Sequence, residues 1–171
     1  MEVKSIDSKT IYGICTRTNN ATEMSPNGKI PALWQTFDRQ VAVDYPGGER
    51  VYGAYFDYAS DQHGDFTVLA GYDAKNSTPK AQADESLTTI TIPSGRYLVF
   101  RQQGEMPQIA IDVWTEVWHF FEGRKFEGEK LGGKDVNTDT PRYQRLFTTD
   151  FEYYPNANEI EVYIAIADED I

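Results

Sequence analysis

Few of the side chains able to do chemistry stand at working distances from one another. Residues 128–134, read Gly128-Glu-Lys-Leu-Gly-Gly-Lys134, have the glycine-to-lysine spacing of a phosphate-binding loop. Asp135 stands where Ser or Thr should hold magnesium, and no strand is expected before the stretch or helix after it, so it reads as a loop. His63 and His119 are the only histidines and Cys15 is the only cysteine. Neither histidine has a partner at ligand spacing, and no nucleophile-elbow sequence accompanies them, so no metal, no cofactor and no catalytic triad is expected. Asp57 and Glu152 occupy matched places in an internal repeat, which invites a paired-carboxylate reading, but surface positions at hairpin ends are the plainer account. Glu161 sits among β-branched and aromatic residues, where Glu is a poor choice for a strand. It is either a solvated residue on an open sheet face or a carboxylate at the floor of an aromatic pocket, where a cationic ligand would offset its desolvation.

The elements that must position these groups come twice. Residues 10–17 read as a strand, and Ile30, Leu33, Trp34, Phe37 and Val41 then fall on one helical face. Strands at 51–58 and 65–72 follow, joined by a hairpin connection over 59–64. The second half repeats the order. A strand-like run at 87–92 and a Pro93-Ser-Gly95 turn precede a strand at 96–102. A helix from about Pro107 to Glu122, stopped by Gly123, carries the stripe Ala110, Val113, Trp114, Val117, Trp118 and Phe121. Strands at 143–153 and 159–166 close a hairpin through 155–158. In this reading Trp34 corresponds to Trp114, Phe56-Asp-Tyr58 to Phe151-Glu-Tyr153, and Thr67 to Glu161.

The expected fold is therefore α+β: one domain over residues 1–171, built of two βαββ modules (about 1–74 and 86–171, with a linker near 75–85) about a pseudo-twofold axis. The modules should pair edge to edge into one antiparallel sheet with both helices on one face and a ligand cleft between the halves. Strand alternation sends Ile160, Val162, Ile164 and Ile166 toward the helices, and Glu161, Tyr163 and Leu69 to the open side.

Composition narrows the partners. A net charge of −11, from 27 acids and 16 bases, leaves no basic surface for phosphates, so no direct nucleic-acid partner is expected. Aromatic residues make up 13% of the chain, enough to fill a core or line a pocket. A single cysteine excludes an intrachain disulfide, no apolar run approaches the ~18 residues of a membrane span, and the first ten residues lack a signal-peptide core. The expected location is the cytoplasm, with no membrane partner.

In the order of its segments the chain resembles the GyrI-like small-molecule-binding domains, the effector-binding domains of multidrug-responsive AraC- and MerR-type transcription activators, which also occur alone. The resemblance lies in residues 51–58, 92–100, 114–118, 150–154 and 161–164 and covers nearly the whole chain. It implies two βαββ modules with a ligand cleft between them, and a last-strand acid with nearby aromatics on a cationic, aromatic ligand. That places Glu161 and Tyr163 in the cleft, with Trp114 and Trp118 as walls or core. Phe56, Tyr58, Tyr153 and Leu69 are further candidate ligand-binding residues. Two features depart from the pattern: strand begins at residue 1 where the activators carry DNA-binding helices, and residues 123–141 have no match. The expected function is a binding module and not an enzyme: a stand-alone sensor or sequestering protein for a lipophilic cation. The rivals are a hydrolase of cyclopropane-bearing metabolites on the same fold, with Glu161 as base, and a gyrase-inhibitor-like module with a protein partner.

Overall fold

The computed structural model describes residues 1–75, 78–79, 87–130 and 143–168. The chain runs through β1 (Glu2–Ile6), β2 (Lys9–Thr18), α1 (Asn20–Glu23), α2 (Ile30–Gln40), β3 (Val51–Phe56) and β4 (Phe66–Tyr72). It continues through β5 (Thr88–Ile92), β6 (Gly95–Gln103), α3 (Gln108–Lys130), β7 (Thr149–Asn156) and β8 (Glu159–Ala165). The short α1 is capped by Asn19, whose side chain accepts from the Thr22 N–H at 2.8 Å. Its last residue, Glu23, turns back and accepts from the N–H groups of Lys29 (2.9 Å) and Ile30 (2.8 Å). A carboxylate thus satisfies donors at the start of α2, whose own N-cap, Lys29, makes no side-chain capping bond.

All eight strands form one antiparallel sheet in the order β1-β6-β8-β7-β3-β4-β2-β5. Only Asp7 and Ser8 separate β1 from β2, yet these strands lie near opposite ends of that order. Three residues reach roughly 10 Å, whereas six strand spacings in a flat sheet span about 29 Å. The sheet must therefore curl until its edges meet, and the short step from Ile92 to Gly95 imposes the same closure. The inner face of the curl is one cluster that draws Ile11, Tyr52, Leu69, Tyr97, Phe151 and Tyr163 together from six strands. The outer face carries the helices: α2 packs over Val51, Val68 and Ala70, and α3 over Leu98, Phe100 and Val162.

The paired modules and the antiparallel sheet with helices on one face are as the sequence predicts, but several particulars differ. The modules are not closed units set edge to edge, because each exchanges its first strand: β1 pairs with β6 and β5 with β2. The side away from the helices is no open groove, since curling fills it with its own side chains. Gly123 does not stop α3, which runs to Lys130; one glycine costs a helix only about 1 kcal/mol, and Glu and Lys beyond it favour continuation. The phosphate-loop spacing at 128–134 therefore starts inside a helix, and its remainder lies outside the described residues. Most of the expected 75–85 linker lies outside them too.

The repeat also has a different register. Matching β1 to β5 by their ends sets Ile6 on Ile92, and following the ladders inward sets Ala70 on Val162 and Gly53 on Glu152. Gly53 and Glu152 are themselves cross-strand partners, so the pseudo-twofold axis passes between them. Tyr55 then corresponds to Tyr154, and Thr67 to Glu159, in place of the pairs expected from sequence. Ring contacts agree with this frame. Trp114 meets Tyr55 edge-on at 5.0 Å, and Trp34 meets Tyr154 edge-on at 5.8 Å, which keeps the Trp34–Trp114 correspondence.

Close curling rests on Gly13 and Gly71, which oppose each other across β2 and β4. A Cβ on Gly13 would lie 2.0 Å from the Ala70 carbonyl oxygen, a backbone atom that cannot step aside. Gly13→Ala should therefore cost about 1–3 kcal/mol, the usual range for overpacking. Thermal unfolding measures it, and an unchanged midpoint would mean that the curl does not need this glycine.

Candidate functional site

The two outer clusters meet over β3 and β7, and the residues at that seam include Trp114 and Tyr154. Strand alternation turns Phe151 and Tyr153 into the curl and sends Glu152 and Tyr154 outward under the helices. Glu152 is only 3% exposed. Its Oε1 accepts from the Tyr55 hydroxyl and its Oε2 from the Tyr154 hydroxyl, so two tyrosines related by the pseudo-twofold clamp one carboxylate beside the axis. The Trp114 indole lies near enough to draw the carboxyl's pKa down as well. Gly53 leaves the space this requires: a Cβ there would stand 3.1 Å from both Glu152 Oε1 and Trp34 Cζ2.

Burial pushes the Glu152 carboxyl above its usual range, against the pull of the bonds from Tyr154 and Tyr55 and of the nearby Trp114. Burial, and then the carboxylate itself, hold Tyr55 far above the ordinary tyrosine range, so it remains a donor. Among the described residues Glu152 has no cation as an ion-pair partner. By contrast the nearby Asp150 is fully paired: Arg145 Nη2 donates to it at 2.9 Å, the Tyr58 hydroxyl at 2.6 Å and the Ala165 N–H at 2.8 Å.

A cleft of about 600 Å³ opens directly over Tyr55, between α1 and the start of α2 on one side and α3 on the other. Its walls include Ile30, Phe66, Trp114 and Trp118, and Tyr58 and Arg145 close one end. The volume suits a drug-sized molecule, and the lining is apolar and aromatic, as small-molecule sites generally are. No group of three or more His, Cys, Asp or Glu that could hold a metal occurs among the described residues. No helix among them is long and apolar enough to cross a membrane.

Of the eight residues singled out from sequence, Tyr58, Trp114 and Trp118 come together in this cleft. Leu69, Tyr163, Phe56 and Tyr153 belong to the inner cluster, on the other side of the sheet. Glu161 also points away from the helices. It accepts from the Tyr163 hydroxyl at 2.6 Å and lies 3.5 Å from Arg101 Nε, so it already has a cation. Strand parity placed Glu161 correctly, but that face is filled by the inner cluster, and Glu161 lines neither of the two cavities over the helical face. Asp57 is an exposed residue just past β3, as expected, whereas Glu152 is buried in mid-strand and not at a hairpin end. The same signal that drew attention to Glu161, a Glu between large apolar neighbours, is present at 151–154. Reading 143–153 as one strand hid it, because β7 begins only at Thr149.

Comparison with known proteins gives one consistent result. A family model described as Cass2, integron-associated effector binding protein, matches residues 2–166. The crystal structure of an integron cassette protein from the mobile metagenome of Vibrio cholerae, VCH_CASS2, superposes with a TM-score of 0.76 at 35% identity, over 97% of this chain and 95% of that one. SAV2435, solved bound to tetraphenylphosphonium, shares the fold at a TM-score of 0.64 and 18% identity, over 98% and 93% of the two chains. YobU of Bacillus subtilis (strain 168), named as a transcriptional regulator, is 26% identical over 179 residues, 96% of each chain.

Proposed function

The chain belongs to the Cass2 family of integron-associated effector-binding proteins, and we propose that it binds a lipophilic aromatic cation in the cleft over Tyr55, with Glu152 as the counter-charge. The observation that carries this reading is a buried carboxylate with no cation partner among the described residues, held by the hydroxyl of Tyr55 directly beneath an apolar cleft that Tyr55 itself lines. Leaving such a charge unpaired is costly, and a cation that displaces a tyrosine or the indole would restore its balance. Trp114 and Trp118 add ring faces that attract cations. The tetraphenylphosphonium bound to SAV2435, a protein of the same fold, has this chemistry: one diffuse positive charge inside aromatic rings.

The protein holds this ligand without converting it. The cleft lining contains neither His nor Cys, and Thr115 spends its hydroxyl on the Ile111 carbonyl at 2.7 Å. Titration with tetraphenylphosphonium, followed by calorimetry and tryptophan fluorescence, tests the binding, and mass spectrometry of the recovered ligand tests for turnover. Absence of binding, or a cation recovered chemically altered, would overturn the proposal.

The pH dependence has a defined sign. The empty site holds the Glu152 proton above the carboxyl's ordinary value of 4.5, and a bound cation lowers that pKa. Affinity for tetraphenylphosphonium should therefore rise with pH between the pKa of the complex and that of the free protein, by up to tenfold per pH unit, and level off above. Neutral triphenylphosphine oxide should show no such slope. Calorimetry across the range decides, and parallel curves for the two compounds would remove Glu152 from the account.

A further inference from the structure

The pseudo-twofold that places Tyr55 on Tyr154 also gives the cleft a twin. A second cavity of about 770 Å³ opens over Tyr154, with Trp34 where the first has Trp114, and Met106, just before α3, also lines it. The tyrosine under each cavity donates its hydroxyl to one oxygen of Glu152, so the carboxylate stands between two pockets. The twins differ one helical turn after the tryptophan. There the first cavity has the Trp118 ring and the second has Asp38.

Asp38 is an exposed residue that makes no hydrogen bond or ion pair with any described residue, and partial desolvation pushes its carboxyl pKa up. Rings of Trp34, Tyr45 and Tyr154 line the same space. The other charged group there, Arg50, sends Nη1 to the carbonyl oxygens of Tyr45 (3.1 Å) and Glu49 (2.7 Å) and forms no ion pair with Asp38. A free carboxylate beside three aromatic rings is the chemistry that holds an aromatic cation.

We propose that this second cavity is a separate, weaker site for an aromatic monocation, with Asp38 as its counter-charge. This rests on the reading of the first cleft but uses a different carboxylate. It is weaker because its anion is more exposed than Glu152 and because Arg50 shares the cavity. A cation already held at Glu152 opposes a second one nearby, so the two sites fill in order.

The three tryptophans separate the sites by position, since Trp114 and Trp118 line the first and Trp34 the second. In a titration with tetraphenylphosphonium, the indole N–H resonances of Trp114 and Trp118 should saturate first and that of Trp34 later, on its own curve. Asp38→Asn should weaken the Trp34 curve at least fivefold and leave the other two unchanged. Glu152→Gln should weaken the Trp114 and Trp118 curve while the Trp34 curve persists. If Trp34 follows Trp114 on one curve, or if Asp38→Asn leaves its curve in place, the second site does not exist. If Glu152→Gln alone has no effect, the first assignment fails and the second stands.

Discussion

Replacing Asp150 by alanine should destabilise the protein by about 3–5 kcal/mol, the usual penalty for removing one member of a buried ion pair. Asp150 is 0% exposed and the Arg145 side chain 9%. Losing the carboxylate leaves the guanidinium without its counter-charge and strips the Tyr58 hydroxyl and the Ala165 N–H of their acceptor. Part of Arg145's environment remains favourable, because its guanidinium lies 4.4 Å from the Phe147 ring centre. That contact is worth at most about 2 kcal/mol and does not replace a paired carboxylate. Set against a typical total stability of about 5–15 kcal/mol, the loss would leave a marginal fold. Chemical denaturation measures it. The double change Arg145→Met with Asp150→Leu should recover most of the loss, since a buried pair and an apolar pair of similar volume are often close in stability. A loss below about 1 kcal/mol in the single variant would contradict the assigned pairing, because even a lone exposed ion pair reaches that value.

What the sequence shows of this fold follows from periodicity. The α2 and α3 stripes and the apolar face of β8 are strong signals because each buries a whole face against one partner. Curling is not legible in this way. It depends on β1 pairing with β6, about 90 residues away in sequence, and no local pattern in residues 2–6 announces a distant partner. With the curl unseen, the face away from the helices looks open, and Glu161 looks like the floor of a groove. In the folded chain its carboxylate meets Arg101, a pairing that strand alternation alone cannot reveal. Trp114 and Trp118 are visible as a stripe, but the same i, i+4 spacing serves core and wall equally well. Tyr55 and the carboxylate it clamps lie 97 residues apart and become a site only when β3 pairs with β7.

Glu152→Gln should weaken tetraphenylphosphonium binding about tenfold to a hundredfold or more, while changing the affinity for triphenylphosphine oxide little. The range corresponds to the roughly 1.5–3 kcal/mol carried by a hydrogen bond or contact with a charged partner. Glutamine keeps the shape of the side chain, and its amide can still bond both the Tyr55 and Tyr154 hydroxyls, which rotate to donate or accept. The unliganded fold should therefore persist, and at neutral pH it should be as stable as the wild type or more so. The sign follows from the raised pKa. The folded protein holds the Glu152 proton above its ordinary value of 4.5, so the carboxyl's favourable contribution is fully present below that value and is lost as pH rises through the folded pKa. The advantage of the Gln variant should accordingly appear over that window and vanish in acid. Calorimetry with the cation and its neutral analogue, together with denaturation of the empty proteins at two pH values, separates charge recognition from shape. Equal losses for both compounds would mean that Glu152 holds the tyrosines in place without answering the ligand's charge.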